Sequence, residues 1–388
     1  MIPLWLAVPW TAPFLPALAA SRRKPDLAEY SPADGGLVSV IIPARNEAAT
    51  IATLIGSLQA STYPRLELIV VDDRSTDDTA AIVRRLAASD PQIQLVQGAD
   101  LPAGWYGKPW ACVQGAAAAS GEILVFTDAD TRHAPTLLGR AVGALLAERP
   151  GLLTLAPRQL CLTFWERVVM PQVWLLLGLR YHPERVNRAV NRRDIIANGQ
   201  FIMLRREIYQ LLGTHEAVRG EVAEDLALAQ RAHSQGQRVW FAFAETLMET
   251  RMYDGLRPMI EGWSKNMYLG GRQSFPDQPA MRALVPLMLA GAMLFWLTPP
   301  VAVVLAALAA PALIWPALLA LSLSLIFWLG AMRMMQIPLR YALAYPAGAA
   351  MALYIVLRSV WRGGRKVEWK GRIYRESEPG EPAATVER

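Results

Sequence analysis

Leu37-Val-Ser-Val-Ile-Ile-Pro-Ala-Arg-Asn-Glu47 begins with a short run of almost unbroken apolar character and then meets a proline, an arginine and an acid. A run of that length without polar alternation predicts a buried strand ending at Pro43. The same pattern recurs downstream. Glu47 to Ala60 has helical spacing, and Leu66-Glu-Leu-Ile-Val-Val71 is a second strand ending in Asp72-Asp73. Thr79 to Ala88 predicts a helix, Ile93 to Val96 a short strand and Lys108 to Ala119 an alanine-rich helix. Ile123 to Phe126 is a further strand, stopping at Thr127-Asp128-Ala129-Asp130. Apolar strands alternating with helices imply an α/β fold with a mostly parallel sheet. In such sheets ligands bind beyond the carboxyl ends of the strands. Pro43–Glu47, Asp72-Asp73 and Asp128–Asp130 all fall there.

The flanks are of another kind. The chain has 388 residues, 53% apolar and only 19% charged, which points to a partly membrane-embedded protein rather than an ordinary soluble one. Residues 2–20 carry no charge and are followed by Ser21-Arg22-Arg23-Lys24, so they predict an uncleaved anchor whose basic flank lies in the cytoplasm. Four prolines weaken that stretch as a helix. A cleaved signal peptide is the rival reading, but its basic residues would precede the apolar run. Residues 283–307 and 311–332 are each long enough to cross a bilayer, and 341–357 is a third apolar stretch. Three crossings would put the basic segment Arg358 to Arg375 on the wrong side, so 341–357 is expected to be re-entrant or interfacial. Residues 162–181, rich in Trp, Leu and Val, read equally as a core helix or one lying on the bilayer. The last dozen residues are expected to be disordered. The resulting division is an anchor over 1–21, a catalytic domain over 35–275, a membrane region over 282–360 and a tail over 361–388.

Other chemistries are poorly supported. The formal charge of +6 is modest, and no motif or basic-aromatic stripe suggests nucleic acid. Cys112 and Cys161 lack zinc-site spacing and are expected to be reduced, and the four histidines show no metal-ligand spacing. Asp128-Ala-Asp130, by contrast, offers two carboxylates at a strand end, the hard oxygen donors that suit a divalent cation on a diphosphate.

Taken in order, VSVIIPARNE at 38–47, VDDRSTDDT at 71–79, TDAD at 127–130 and AEDL at 223–226 resemble glycosyltransferase family 2 over about residues 37–270. The resemblance implies a GT-A nucleotide-diphospho-sugar transferase fold, inverting chemistry, and Mg2+ or Mn2+ as cofactor. On this resemblance Pro43, Arg45 and Glu47 border the nucleobase and ribose, and Asp73 reads the base beside the less certain Asp72. Lys108 lies near the donor phosphates, and Asp128 and Asp130 bind the metal, with Asp130 the more direct ligand. Asp225, next to Glu224 at a helix start, is the general base that takes the acceptor proton. Asn198-Gly-Gln-Phe201 and Arg205-Arg-Glu207 line the acceptor and sugar side.

One departure narrows the expected substrate. Where processive synthases carry Q/R-x-x-R-W, this chain has Gly262-Trp-Ser-Lys-Asn266, so Lys265 supplies the diphosphate cation, with Arg272 as a second candidate. That favours transfer of a single sugar. The trailing apolar region and Val367-Glu-Trp-Lys-Gly-Arg-Ile-Tyr374 resemble bacterial membrane enzymes of carotenoid and hopanoid glycosylation. The expected reaction moves a sugar, UDP-linked by expectation, to the hydroxyl of a hydrophobic lipid alcohol. Alternative acceptors are a polyprenyl phosphate, for which Arg180, Arg185, Arg188, Arg192 and Arg193 would matter, and a glycerolipid or sphingolipid. The expected location is the cell (inner) membrane, multi-pass, with the catalytic domain cytoplasmic.

Overall fold

The computed structural model describes residues 3–15, 24–363, 367–369, 372–375 and 384–386. Its first half realises the strand–helix alternation: β1 (Val38–Ala44), α1 (Ile51–Gln59), β2 (Leu66–Asp72), α2 (Thr79–Ser89), β3 (Ile93–Gln97), α3 (Gly107–Ala118) and β4 (Ile123–Thr127). β5 (Thr131–His133), α4 (Leu137–Glu148), β6 (Leu152–Ala156) and β7 (Arg158–Gln159) follow. Then come α5 (Phe164–Arg180), α6 (Pro183–Asn187), β8 (Phe201–Arg205), α7 (Arg206–Leu211), α8 (Glu224–Ser234), β9 (Val239–Phe243) and β10 (Met248–Thr250).

The main sheet has strand order β3-β2-β1-β4-β8-β6-β9. β1 is parallel to β2 and β4, and β2 to β3, while β8 runs antiparallel to both β4 and β6. A single reversed strand leaves the sheet mostly parallel. Every residue of β1 is buried, as expected where helices cover both faces. The strand also continues through Pro43 to Ala44, past the expected end. Ala44 C=O accepts from Asp73 N–H (2.8 Å), so Ala44 faces β2 and Pro43 faces the other side. On that side the pairing with β4 ends at Ile41, and a missing N–H costs nothing there.

Beyond the sheet run α9 (Leu256–Gln273), α10 (Pro279–Ala309), α11 (Ile314–Met334) and α12 (Tyr345–Arg362). Pro279–Ala309, Pro311–Met334 and Leu339–Arg362 are each long and apolar enough to cross a membrane. The third apolar stretch is thus one continuous helix with a 3-10 lead-in at Leu339–Ala344, and it is not broken into a re-entrant pair. It packs both on the catalytic domain and on the other apolar helices, with Tyr345 and Ala349 clustered against Trp296 of α10 and Trp328 of α11. At its leading end Arg167 of α5 donates to Tyr341 Oη (2.7 Å) and Gln172 to Tyr345 C=O (3.2 Å). A Cβ on Gly348 would stand 2.0 Å from Val168 C=O, so glycine permits direct contact between the α12 and α5 backbones. At the other end Arg358 and Arg362 both pair with Glu261 of α9, Arg362 at 2.7 Å. Ser359 Oγ accepts from Tyr268 N–H (3.0 Å).

α5, expected as either a core or a surface helix, packs through Val168, Val169, Met170 and Val173 against Met259, Trp263 and Met267 of α9 and Ile355 and Val356 of α12. Trp263 is therefore a packing residue, with Nε1 3.3 Å from Met170 Sδ. The amino-terminal stretch differs from a plain spanning helix. Leu4–Thr11 is a 3-10 helix with Pro9 inside, as its proline content predisposes. Trp10 stacks on Phe295 (5.5 Å) and Phe14 meets Phe327 edge-on (5.7 Å), which seats the segment on α10 and α11. The end of that stretch and its basic flank, Arg22 and Arg23 included, lie outside the described residues. In the tail, β11 (Val367–Trp369), β12 (Arg372–Arg375) and β13 (Ala384–Val386) pair antiparallel. The remainder of the segment expected to be disordered lies outside the described residues.

Candidate active site

Two groups of the expected residues gather at the carboxyl ends of the central strands. The first lies beyond β1 and β2. Arg45 donates to the carbonyls of Asp73 (2.7 Å) and Arg74 (3.0 Å), tying the end of β2 to the β1 loop. Glu47 N–H donates to Thr79 Oγ1 (2.8 Å), and Glu47 C=O accepts from the amides of Thr50 and Ile51 (3.0 and 2.9 Å), the turn that leads into α1 at Ile51. Asp72 and Asp73 are both buried. Asp77 accepts from Thr79 N–H (3.0 Å) and Ala48 N–H (3.1 Å), so it satisfies an amide at the start of α2 and one in the turn before α1.

The second group lies beyond the carboxyl end of β4 and the amino end of the reversed strand β8. The Asp128 turn is closed by Thr131 N–H and Oγ1 on Asp128 C=O (3.3 and 2.9 Å), and Thr250 Oγ1 of β10 donates to Asp130 C=O (3.2 Å). Lys108, in the first turn of α3, places Nζ 2.7 Å from Asp128 and 3.0 Å from Glu224. It therefore bridges the carboxylate turn and the start of α8. Asp225 is held by two amides, Gly199 N–H on Oδ2 and Leu226 N–H on Oδ1, both at 2.7 Å. A Cβ on Gly199 would come within 2.9 Å of Lys108 Nζ and 3.1 Å of Asp225 Oδ2, so only glycine leaves this junction open.

The electrostatics separate the two adjacent acids. Burial, and then the charge of Glu224, raise the Asp225 carboxyl to about 6. Burial would also raise Glu224, but the Lys108 ammonium outweighs it and holds Glu224 below its usual range. Burial opposes the charge of Lys108 too, yet Asp128, Glu224 and Asp225 together keep it firmly protonated. Lys265, on α9, feels the same four groups; burial lowers it below its usual range despite the pull of the acids. Neighbouring carboxyls pushed in opposite directions mark an acid–base arrangement.

Asp225, Glu224, Lys108, Asp128 and Lys265 thus share one electrostatic environment. Pro43, Arg45, Glu47 and Asp73 share the neighbouring strand ends. Arg272 does not join either group, since it stacks over Tyr268 of its own helix (5.5 Å). The histidines are structural where buried. Burial drives His133 down to about 3 and His215 to about 4, so both are neutral. Cys112 and Cys161 are unpaired thiols.

Two features escaped the sequence reading. Tyr253 lies close enough to Asp130 to feel its charge, which together with burial raises the phenol. A Cβ on Gly262 would stand 2.4 Å from Tyr253 Oη, so the glycine of the Gly262-Trp-Ser-Lys-Asn266 segment makes room for that ring. The second is Glu166, which is buried, caps α5 through Thr163 and pairs with Arg251 at 2.9 Å. Only its spacing from Thr163, Thr-x-x-Glu, signalled the cap.

Asp128 and Asp130 fit a hard divalent cation in donor type. Among the described residues no third His, Cys, Asp or Glu joins them. The described residues thus offer two carboxylates at most, which suits an ion that takes its other ligands from phosphate and water.

Comparison with known proteins agrees with this arrangement. Residues 39–213 match the glycosyl transferase family 2 model. A 4,4'-diaponeurosporenoate glycosyltransferase of Staphylococcus aureus strain MRSA252 is 29% identical over 261 residues, 66% of this chain and 66% of that protein. Its counterpart in strain USA300 is 28% identical over 246 residues, 62% of this chain and 63% of the relative. The match therefore spans just under two thirds of these relatives' length. Among solved structures, the mannosyltransferase PcManGT from Pyrobaculum calidifontis, in complex with GDP-Man and Mn2+, superimposes with a TM-score of 0.57. That comparison covers 92% of this chain and 99% of the other at 23% identity, and it shows a shared fold. Residues 39–213 thus form a glycosyl transferase family 2 domain, built on a mostly parallel GT-A sheet with carboxylates at its strand ends.

Proposed function

We propose that the protein transfers a single sugar from a nucleotide-sugar donor to the hydroxyl of a hydrophobic lipid, with inversion at the anomeric carbon. The observation that carries this reading is the Asp225 carboxyl, held by two amides and raised to about 6 beside the anionic Glu224. An acid in that range is ionised at neutral pH yet basic enough to accept a proton from an attacking hydroxyl. Asp225 takes that proton as the hydroxyl oxygen bonds to the anomeric carbon and the diphosphate departs from the opposite face. Lys265 and Lys108 place positive charge where the leaving diphosphate develops its own. Pro43, Arg45, Glu47 and Asp73 hold the nucleoside, for which a UDP-linked sugar is the first choice to test. A divalent cation, Mg2+ or Mn2+, held by Asp128 and Asp130 supplies further charge on the diphosphate when bound.

The acceptor side follows from α9. That helix carries Lys265 toward the carboxylates and Met259, Trp263 and Met267 toward α5 and α12. A lipid entering along these apolar helices reaches the base without leaving the membrane surface. The name of the Staphylococcus aureus relatives supports a second acceptor chemistry, a carotenoid carboxylate. A carboxylate is already deprotonated, and Asp225 would then be dispensable as a base.

The membrane arrangement has two crossings, α10 and α11, with α12 lying along the membrane face of the domain. Both ends of α12 bind catalytic-domain residues, Arg167 and Gln172 at one end and Glu261 at the other. The basic segment after α12 then returns to the domain's side, as the positive-inside rule asks. The catalytic domain sits on the cytoplasmic face of the cell (inner) membrane.

The test uses full-length protein, Mn2+ or Mg2+, labelled nucleotide sugars and an extract of membrane lipids. Label in a neutral lipid that survives mild base supports transfer to a hydroxyl. Label released by mild base as the free sugar identifies a glycosyl ester, and label released by mild acid from an anionic lipid identifies a polyprenyl phosphate. Either of the last two overturns the hydroxyl acceptor.

A further inference from the structure

A cavity of about 740 Å³ opens where the carboxyl ends of α5 and α9 meet the first turns of α10. One wall is cationic, with Arg180, Arg185 and Arg193; the other is apolar, with Phe275, Met281 and Met288. Arg180 is anchored. It donates to Ser274 C=O (3.0 Å), stacks over Phe275 (4.9 Å) and pairs at 3.7 Å with Asp194, the acid of the same wall. Its Nε is buried without a hydrogen-bond partner among the described residues. Arg185 and Arg193 are exposed, and their side chains make no hydrogen bond or ion pair among the described residues. Three guanidiniums against one carboxylate leave the wall with surplus positive charge.

The depth of the cavity comes from α10. That helix has 31 residues, about 46 Å at ~1.5 Å per residue, against about 30 Å of bilayer hydrocarbon. Arg282 is its one charged residue, so the uncharged far end fills the hydrocarbon and residues 279–288 stand at headgroup depth. Met281 and Met288 are two turns apart on one side of the helix, level with the arginines.

We infer that this crevice binds the phosphate headgroup of a membrane lipid, with Arg185 and Arg193 on the phosphate and the first chain methylenes against Met281 and Met288. Guanidinium forks match phosphate oxygens, and a cationic pocket bordered by apolar helix at headgroup depth suits a molecule with both characters. The inference rests on α10 crossing the membrane, not on the identity of the sugar acceptor. The phosphate can belong to a bilayer phospholipid diester or to a polyprenyl monophosphate.

The test measures binding with no donor present, so it stands apart from any result on sugar transfer. Full-length protein in neutral detergent is titrated with labelled short-chain phosphatidylglycerol. The Arg185→Gln/Arg193→Gln variant is expected to bind at least ten-fold more weakly than the parent. An Arg84→Gln/Arg85→Gln variant, which loses the same charge from α2, is expected to bind as the parent does. Inorganic phosphate is expected to compete at least ten-fold more weakly than the lipid. Unchanged affinity in the Arg185/Arg193 variant overturns the site, and phosphate competing as well as lipid overturns its lipid character. Displacement of the label by polyprenyl monophosphate at lower concentration than by unlabelled phosphatidylglycerol assigns the headgroup to the monoester, and the reverse order assigns it to the bilayer diester.

Discussion

Replacing Glu224 with glutamine removes one charge and little else, and it tests how the site sets its base. Asp225 stands at about 6 in the folded protein, raised from 3.8 by burial first and by Glu224 second. A base titrating at about 6 is about 90% ionised at pH 7 and about 9% at pH 5, so kcat/KM should fall about ten-fold between them. In Glu224→Gln the burial remains, the repulsion disappears, and Lys108 acts on Asp225 without Glu224 beside it. Both changes favour the ionised form, so the acid limb moves down toward 3.8. A move of one pH unit leaves only about a two-fold loss between pH 7 and pH 5. The assay is kcat/KM for labelled-sugar transfer to lipid across pH 4.5–8, at saturating metal and in one detergent. A limb that stays at about 6, or rises, refutes the assignment of Glu224 as the charge acting on Asp225.

Two further outcomes follow from geometry. Gly199→Ala sets a methyl 2.9 Å from Lys108 Nζ and 3.1 Å from Asp225 Oδ2; displacing those two groups by about half an ångström should cost on the order of ten-fold in kcat with the melting temperature little changed. With α12 lying along the catalytic domain, a single cysteine introduced at Gly363 should react with membrane-impermeant maleimide on the same side as one introduced at Arg84, and labelling on opposite sides would show that α12 crosses.

The strands were legible because burial on both faces demands continuous apolar runs, as in Leu66–Val71 and Ile123–Phe126. Their exact ends were less so. Pro43 reads as a terminator, yet it is tolerated where β4 has already stopped pairing. The carboxylates were legible as a set because several elements deliver acids to one sheet edge. What stayed hidden was pairing across long sequence distance. Nothing in the order of residues says that Lys108 bridges Asp128 and Glu224, that Tyr253 sits under Gly262, or that Glu261 meets Arg358 and Arg362. For α12 the sequence shows length and apolarity, which a crossing helix and a surface helix share. Gly348, Gln172 and Ser359 show how α12 packs on α5 and α9, through contacts that only the folded chain displays.

The central claim is that Asp225 removes the proton from a lipid hydroxyl. Its most direct test is single-turnover transfer by Asp225→Asn, with donor affinity measured in parallel. The substitution keeps the side-chain shape but removes the carboxylate charge, together with one of the two hydrogen bonds from the Gly199 and Leu226 amides. The account predicts a loss of about 10²–10⁴-fold in the transfer rate with donor affinity nearly unchanged. A variant that still glycosylates a hydroxyl acceptor at close to the parent rate would contradict it.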